Sequence, residues 1–375
     1  MKKHLHIITF DIPFPANYGG VIDVYYKIKQ LSKLGIKIHL HCFEYGDRKQ
    51  AAILENICHK VYYYPRKTGV LQQFSTIPYI IKSRNSKTLI QNLLKDDYPI
   101  LFEGLHTTIT ALHPQLKTRK KIYRAANIEH HYYQYLYQAE KNILKKIYFW
   151  IESKKLQKFE KNIKIFDAIL AISPKDTNYL KNKFPQNNVQ FLASFHQNDE
   201  IKIEKKSKKY ALYAGNLAVA ENIKAVNFLI DKVFSKTQYP LIVAGLNPTL
   251  SLKKKIEKYS HIQLQENLSD TKMEQLYQGA HINLLITFQA TGLKLKLINA
   301  LYQSNYCICN NEMIQDTGLE QLCEIANSSE EILTKITNLQ NQNFSKEKLI
   351  ERHQLLEEKY GNTNSILKLI NIIWG

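Results

Sequence analysis

The chain is predicted to be an α/β protein built as two Rossmann-like domains facing across a cleft, and three observations predict it. Short apolar runs alternate with helical periodicity from the first residues onward, the pattern of parallel sheets covered by helices on both faces. A length of 375 residues exceeds one ordinary core and fits about two domains of roughly 150 residues each. Midway, residues 196–209, "HQNDEIKIEKKSKK", form a polar, charged run that reads as an interdomain linker.

In the first half, strands are expected over 4–10, 36–43, 60–64, 99–103, 120–124 and 167–172. In the second half they are expected over 210–214, 240–244, 261–264, 282–286 and 305–309. Helix starts are signed by Ser173 with Pro174 and Asp176, and by Ser269 ahead of the 272–277 run. The expected division is a first domain over 1–195, the linker 196–209, a second domain over 210–355, and a terminal helical segment 356–375 packing back on the first domain. No repeat of fixed period appears.

The composition, 44% hydrophobic and 23% charged with 13 Gly and 10 Pro, belongs to an ordered globular chain. Its 52 Lys and Arg against 33 Asp and Glu favour an anionic partner: nucleic acid, lipid headgroups or phosphorylated small molecules. Lysine-rich codon bias gives the same excess. The lysines are scattered over both halves without an RNA-binding or helix-turn-helix signature, so no nucleic-acid partner is expected. No apolar run approaches the roughly 20 residues that span a bilayer, and no cleavage site follows the start, which places the chain in the cytoplasm, with the inner face of the plasma membrane as an alternative address. Five cysteines without a CxxC pair read as buried thiols.

Three strand-to-helix turns carry candidate ligand chemistry. After the first strand, Gly19 and Gly20 free the backbone at a helix start, where N–H groups can approach a phosphate, or simply make a tight turn. In "QATGLKLKLINAL", residues 289–301, Thr291, Gly292 and Leu293 lead into a helix whose Lys294 and Lys296 suit a diphosphate or form a solvated lysine face. In "YAGNLAVAENIKAV", Gly215 and Asn216 open a loop, and Asn222 either caps the next helix or reaches a ligand.

The blocks "PFPANYGGVIDVYYKIKQL", "FEGLHTT", "YRAANIEHHYYQYLYQAEKN", "FDAILAIS", "YAGNLAVAENIKAV", "LIVAGLNP" and "TGLKLKLINAL" together resemble, in order and over nearly the whole chain, GT-B glycosyltransferases of the family 4 type. The resemblance implies a nucleotide-sugar donor held mainly by the second domain and an acceptor by the first. It implies transfer with retention of configuration and without a metal or other cofactor. The chain contains no Asp-x-Asp, the metal-binding pair of the other large glycosyltransferase fold.

On this resemblance Gly19, Gly20, Gly215, Asn216, Asn222, Thr291, Gly292, Leu293, Lys294, Lys296 and Asn299 are expected at the donor. Glu103, His106, Arg124 and Glu129 are expected on the catalytic side, at the carboxyl ends of parallel strands. Glu103 capping a loop and Glu129 paired with Arg124 or a lysine are the plainer readings of those two acids. Similar enzymes carry Glu where Asn299 stands, an acid near Thr291, and His at the place of Ala126; His106, His130 and His131 are nearby substitutes for the last. The expected activity moves a sugar from a nucleotide-sugar to a glycan or lipid-linked acceptor in bacterial cell-surface polysaccharide or glycoprotein biosynthesis. The alternatives are a non-catalytic or partner-dependent GT-B subunit and a nucleotide-sugar epimerase.

Two further patterns are weighed. His4 and His6 with His39 and His41 form His-x-His pairs on adjacent strands, read as sheet histidines rather than a metal site. The segment 137–161 joins Leu144, Ile147, Trp150 and Ile151 to many lysines, and is read as a helix packed on its own domain with a solvated lysine face, or as a contact with a membrane surface.

Overall fold

The structure is a computed structural model that describes residues 3–69, 72, 74–203, 208–288 and 294–375. It divides into two compact units: Met1–Gln197 with Tyr360–Gly375, and Asn198–Lys359. The first holds seven strands, β1 (His4–Thr9), β2 (Lys37–Glu44), β3 (Lys60–Pro65), β4 (Ile100–Glu103), β5 (Lys121–Ala125), β6 (Ala168–Ala171) and β7 (Asn188–Phe191), in the order β3-β2-β1-β4-β5-β6-β7. The second holds β8 (Lys208–Ala214), β9 (Leu241–Gly245), β10 (Ile262–Glu266), β11 (Ala280–Leu285), β12 (Tyr306–Cys309) and β13 (Glu324–Ile325), in the order β10-β9-β8-β11-β12-β13.

Every pairing in both sheets is parallel. Each strand order reverses direction once, between β1 and β4 in the first unit and between β8 and β11 in the second, which makes these the ligand-binding switch points of a doubly wound sheet. Every strand read from the sequence is present within one or two residues of its expected ends. The two that the sequence does not announce, β7 and β13, are short edge strands, where a half-solvated pattern is weak.

Both faces of the first sheet are sealed, because side chains alternate along each strand. Leu5 and Ile7 pack on one side with Ile38, Leu40 and Leu101, while Ile8 packs on the other with Phe43, Ile100 and Phe102. The first side is closed by the helix Gly19–Lys33, through Val24, Ile28 and Leu31, and by the helix Asn362–Trp374, through Ile366, Leu369 and Ile373. In the second unit Ala211, Tyr213, Val243, Ile282 and Leu284 join Val226, Ile230 and Ile336 in one core. Cys42, Cys58, Cys307 and Cys309 are buried and Cys323 is half-buried, all as free thiols.

The paired histidines of β1 and β2 are hydrogen-bonded to one another. Asp96 accepts from His6 Nε2 at 2.8 Å, His6 Nδ1 meets His41 Nε2 at 2.8 Å, and His41 Nδ1 meets the Tyr64 hydroxyl at 2.8 Å. His4 Nδ1 meets His39 Nε2 at 3.0 Å. Among the described residues no group of three or more His, Cys, Asp or Glu is placed to hold a metal.

Burial holds His6, His39 and His41 below the usual imidazole range, His39 at about 4 and His41 well below its ordinary value with His6 adding repulsion. The unfolded chain therefore binds more protons than the folded one below pH about 6.5, and stability rises with pH there. The contribution is complete above about 6.5 and is lost as pH falls toward 4. Thermal melting followed from pH 8 to 5 should show this decline, and His39→Gln should flatten it.

Candidate active site

In the first unit, four charges close on one another beneath the helix Gly19–Lys33. Asp23 and Lys27 lie one turn apart on that helix, with Lys27 Nζ 3.1 Å from Asp23 Oδ2. Glu103 on β4 and Arg124 on β5 are register neighbours, so their side chains leave the same face of the sheet. Lys27 Nζ is 2.7 Å from Glu103 Oε1, and Arg124 Nε is 3.1 Å from Asp23 Oδ2. Arg124 also donates to the Leu192 and Ala193 carbonyls, and Asp23 accepts from Phe195 N at 2.8 Å. All four side chains are buried. Burial works to raise the Asp23 carboxyl, but Arg124 and Lys27 override it and hold it at about 2; burial raises that of Glu103 against the pull of Lys27.

Glu103 and Arg124, expected on the catalytic side, both sit at the carboxyl end of the sheet in sequence, and their side chains point into the closed face under the helix, where Lys27 and Asp23 pair with them.

His106 and Glu129 are instead brought together at the carboxyl ends of β4 and β5, with Glu129 Oε1 3.9 Å from His106 Nδ1. Gly104, at φ 73°, turns the chain sharply after β4, and the His106 ring packs on Phe10 at the end of β1 with centroids 5.3 Å apart. Burial, with Arg84 and Arg66 adding repulsion, holds His106 neutral, well below its ordinary range. Its Nδ1 is buried and has no hydrogen-bond partner among the described residues. Glu129 opens the helix Glu129–Ala139, and burial pushes its carboxyl up to about 8 against the pull of Arg84, with Glu160 adding repulsion.

The sequence reading missed the cations that surround this pair. Arg84 is buried and donates to the Phe10 and Ile80 carbonyls at 2.8 and 2.7 Å; burial, and Arg66 beside it, lower it to about 9. Arg66 stacks over Tyr45 at 4.2 Å. Arg48 fastens the loop after β1, donating to the Ile12 carbonyl at 2.9 Å, while Tyr18 donates to Asp11 at 2.7 Å. No periodic pattern marks Arg66 or Arg84, whose positions depend on where the chain returns to β1.

Gly20 is accounted for by packing, since a Cβ there would come within 2.7 Å of the Phe10 ring. Gly19 and Gly20 begin the helix Gly19–Lys33, whose start carries no side-chain cap. His130 faces Glu160 at 3.4 Å, and the His131 ring lies tilted against that of His130 with centroids 4.3 Å apart; the two belong to a cluster with Tyr179 and Lys183.

In the second unit, the turn after β8 and the helix Leu295–Gln303 meet. Lys296 Nζ donates to Asn222 Oδ1 at 2.6 Å and lies over the Tyr213 ring at 5.4 Å. Asn222 Nδ2 donates to the Asn216 carbonyl at 2.9 Å, and Asn216 Oδ1 accepts from Ala218 N at 3.0 Å. A Cβ on Gly215 would reach 2.7 Å from the Lys296 ammonium, so only glycine leaves backbone and cation this close. A Cβ on Gly245 would overlap the Gly215 carbonyl oxygen, which fixes glycine there too. The helix Ala220–Phe228 starts beside this turn without a side-chain cap, leaving its first N–H groups for other partners. Burial lowers the Lys296 ammonium to about 8, with Glu221 pulling it back up.

Lys294 reaches elsewhere, donating to the Glu312 carbonyl at 2.7 Å. Asn299 Oδ1 accepts from Asn198 Nδ2 and Gln303 Nε2, both at 3.1 Å, inside a polar network of its own unit. Thr291, Gly292 and Leu293 lie outside the described residues. Among the described residues no helix is long and apolar enough to cross a membrane.

No family model matches the chain. An uncharacterised 44.6 kDa protein in the cps region of Klebsiella pneumoniae is 25% identical over 351 residues, 87% of this chain and 88% of that one. Among solved structures, TarM matches with a TM-score of 0.70 at 9% identity, covering 100% of this chain and 99% of its own. A glycosyltransferase from Rickettsia africae matches at 0.65 with 12% identity, covering 99% and 98%. An α,α-trehalose-phosphate synthase (UDP-forming) from Burkholderia xenovorans, in complex with glucose-6-phosphate, matches at 0.60 with 9% identity, covering 100% of both chains. The chain has the fold these structures share, the GT-B fold of two parallel-sheet α/β domains.

If Arg124 is structural, Arg124→Met leaves Asp23 charged, buried and short of its main partner, which costs about 3–5 kcal/mol. Urea unfolding should report a loss of that order, whether or not any nucleotide is present.

Proposed function

We propose that the chain is a glycosyltransferase that moves a sugar from a nucleotide-sugar to a glycan or lipid-linked acceptor, with retention of configuration and without a metal. The observation that carries this reading is the Lys296 ammonium held against the Gly215 turn at the switch point of the second sheet. A cation, a glycine backbone and an uncapped helix start are together suited to a diphosphate. The GT-B fold and the 25% identical protein of the cps region support the same reading, and the second favours cell-surface polysaccharide assembly.

In this reading the second unit binds the donor. When the bond between the anomeric carbon and the diphosphate breaks, Lys296 and the N–H groups of Ala220–Phe228 stabilise the charge that gathers on the leaving phosphate. The first unit binds the acceptor beside Glu129, His106 and Arg84. Glu129 in its ionised form takes the proton of the attacking hydroxyl, and the acceptor oxygen bonds the anomeric carbon on the face from which the diphosphate departs, so that configuration is retained. Arg84 and Arg66 leave this end of the unit cationic, which suits an acceptor carrying phosphate or acidic sugar.

Calorimetry with UDP, GDP, CMP, dTDP and their sugar conjugates tests the donor role. One nucleotide should bind saturably, and Lys296→Ala should weaken it about 10–100-fold, the worth of a hydrogen bond to a charged group. Lys294→Ala should weaken it less, because Lys294 is spent on the Glu312 carbonyl. Binding without transfer to any acceptor would favour a partner-dependent subunit, and an altered sugar formed without acceptor would favour an epimerase.

The Glu129 carboxyl, raised to about 8, is largely protonated at pH 7, so its base form grows as pH rises. Turnover should climb with pH through about 8. In Glu129→Gln this rise should disappear together with most of the rate.

A further inference from the structure

The helix Ile143–Phe159 has two apolar faces, and its own unit covers one of them. Glu152, Ser153, Leu156 and Phe159 are its buried residues. At about 100° per residue, Ile143, Leu144, Ile147, Trp150 and Ile151 form a second stripe about 120° wide on the opposite side. That stripe is bare: Leu144 is 79% exposed, Ile143 73% and Trp150 50%. The helix is thus packed on its own unit with lysines outward, and five large apolar side chains face outward beside them.

Lysines outnumber acids around the stripe, and Glu140, just ahead of the helix, accepts from the Lys141 and Asn142 N–H groups at 2.8 and 2.9 Å. Lys154 and Lys158 continue the stripe along the helix, Lys141 and Lys145 lie at its start, and Lys161 and Lys164 follow its end, all six exposed. The acids of 141–164 are Glu152 and Glu160, and both turn inward. Glu152 accepts from Tyr79 N at 2.7 Å and Glu160 from the Tyr179 hydroxyl at 2.9 Å. The outer surface of this helix therefore offers apolar bulk, one tryptophan and lysine ammonium groups, with no exposed acid.

From this placement we infer that the helix Ile143–Phe159 is a docking surface for an anionic phospholipid bilayer, lying along the interface with its apolar stripe among the acyl chains and its lysines among the headgroup phosphates. A tryptophan at the boundary and flexible, point-charged lysines suit that interface. A second copy of this chain fits poorly, because a symmetric pairing of the stripes sets lysines against lysines. The inference does not depend on the proposed transfer reaction, and its test reads lipid binding alone.

The full-length chain is sedimented with vesicles of phosphatidylglycerol and phosphatidylcholine, and with vesicles of phosphatidylcholine only. Binding is expected to the anionic vesicles, to fall as salt rises, and to be at least about tenfold weaker on the neutral ones. Leu144→Ser with Trp150→Ser, and separately Lys154→Glu with Lys158→Glu, should each reduce it by about tenfold or more while leaving the melting temperature unchanged, since all four side chains are exposed. No binding to anionic vesicles at low salt, or binding that both variants retain, overturns the inference. So does a concentration-dependent dimer in sedimentation velocity that the same variants abolish, with no vesicle binding.

Discussion

Four charges sealed beneath the helix Gly19–Lys33 set the terms for the rest of the first unit. Taking Asp23, Lys27, Glu103 and Arg124 out of water is costly, and the cost is offset only when all four meet. They meet only if the helix sits in one rotation and β4 and β5 pair in one register. The square therefore specifies the geometry of the helix start, with Gly20 against Phe10, and of the strand ends that follow. It also occupies Glu103 and Arg124, since each is paired with a neighbour.

With both faces of each sheet closed, polar chemistry is left to the strand ends. The two switch points are equipped differently. In the first unit the ends of β1, β4 and β5 gather Arg84, His106 and Glu129, groups able to hold anions and to take or keep protons. In the second, the end of β8 offers glycine backbone and one lysine, a place for phosphate oxygens but not for proton transfer. Such a division of labour suits the proposed transfer, with its anionic leaving group and hydroxyl nucleophile.

The fold was legible because parallel strands buried on both faces write themselves as continuous apolar runs, and their order follows from the connection rules of α/β sheets. β7 and β13 escaped because a four-residue and a two-residue edge strand leave no such run. The site was legible only in part. Residue type marked Lys294 and Lys296 alike, but which lysine turns to the Gly215 turn depends on where the helix begins, and it begins at Leu295. The buried square carried a readable sign: Asp23 and Lys27 flank Val24 and Ile28 on the apolar side of their helix, where a charge must find its opposite. Arg84 carried none: Ile80 is one turn away, but Phe10, its other carbonyl partner, comes from the loop after β1.

The ionisable groups of both candidate sites share one property. Lys296 is lowered to about 8, Arg84 to about 9, His106 is kept neutral, and Glu129 is raised to about 8. In each case burial is the largest cause, so these side chains have already lost much of their water before any ligand arrives. A phosphate entering beside Lys296 or a hydroxyl beside Glu129 meets dipoles and charges that need little further desolvation, and the interaction acts at nearly full strength. That standing cost is borne by the folded units themselves, through sealed sheets and the paired charges beneath the first helix. Stability and site chemistry are therefore not separable here: loosening the packing that isolates these groups would return them to ordinary acids and bases.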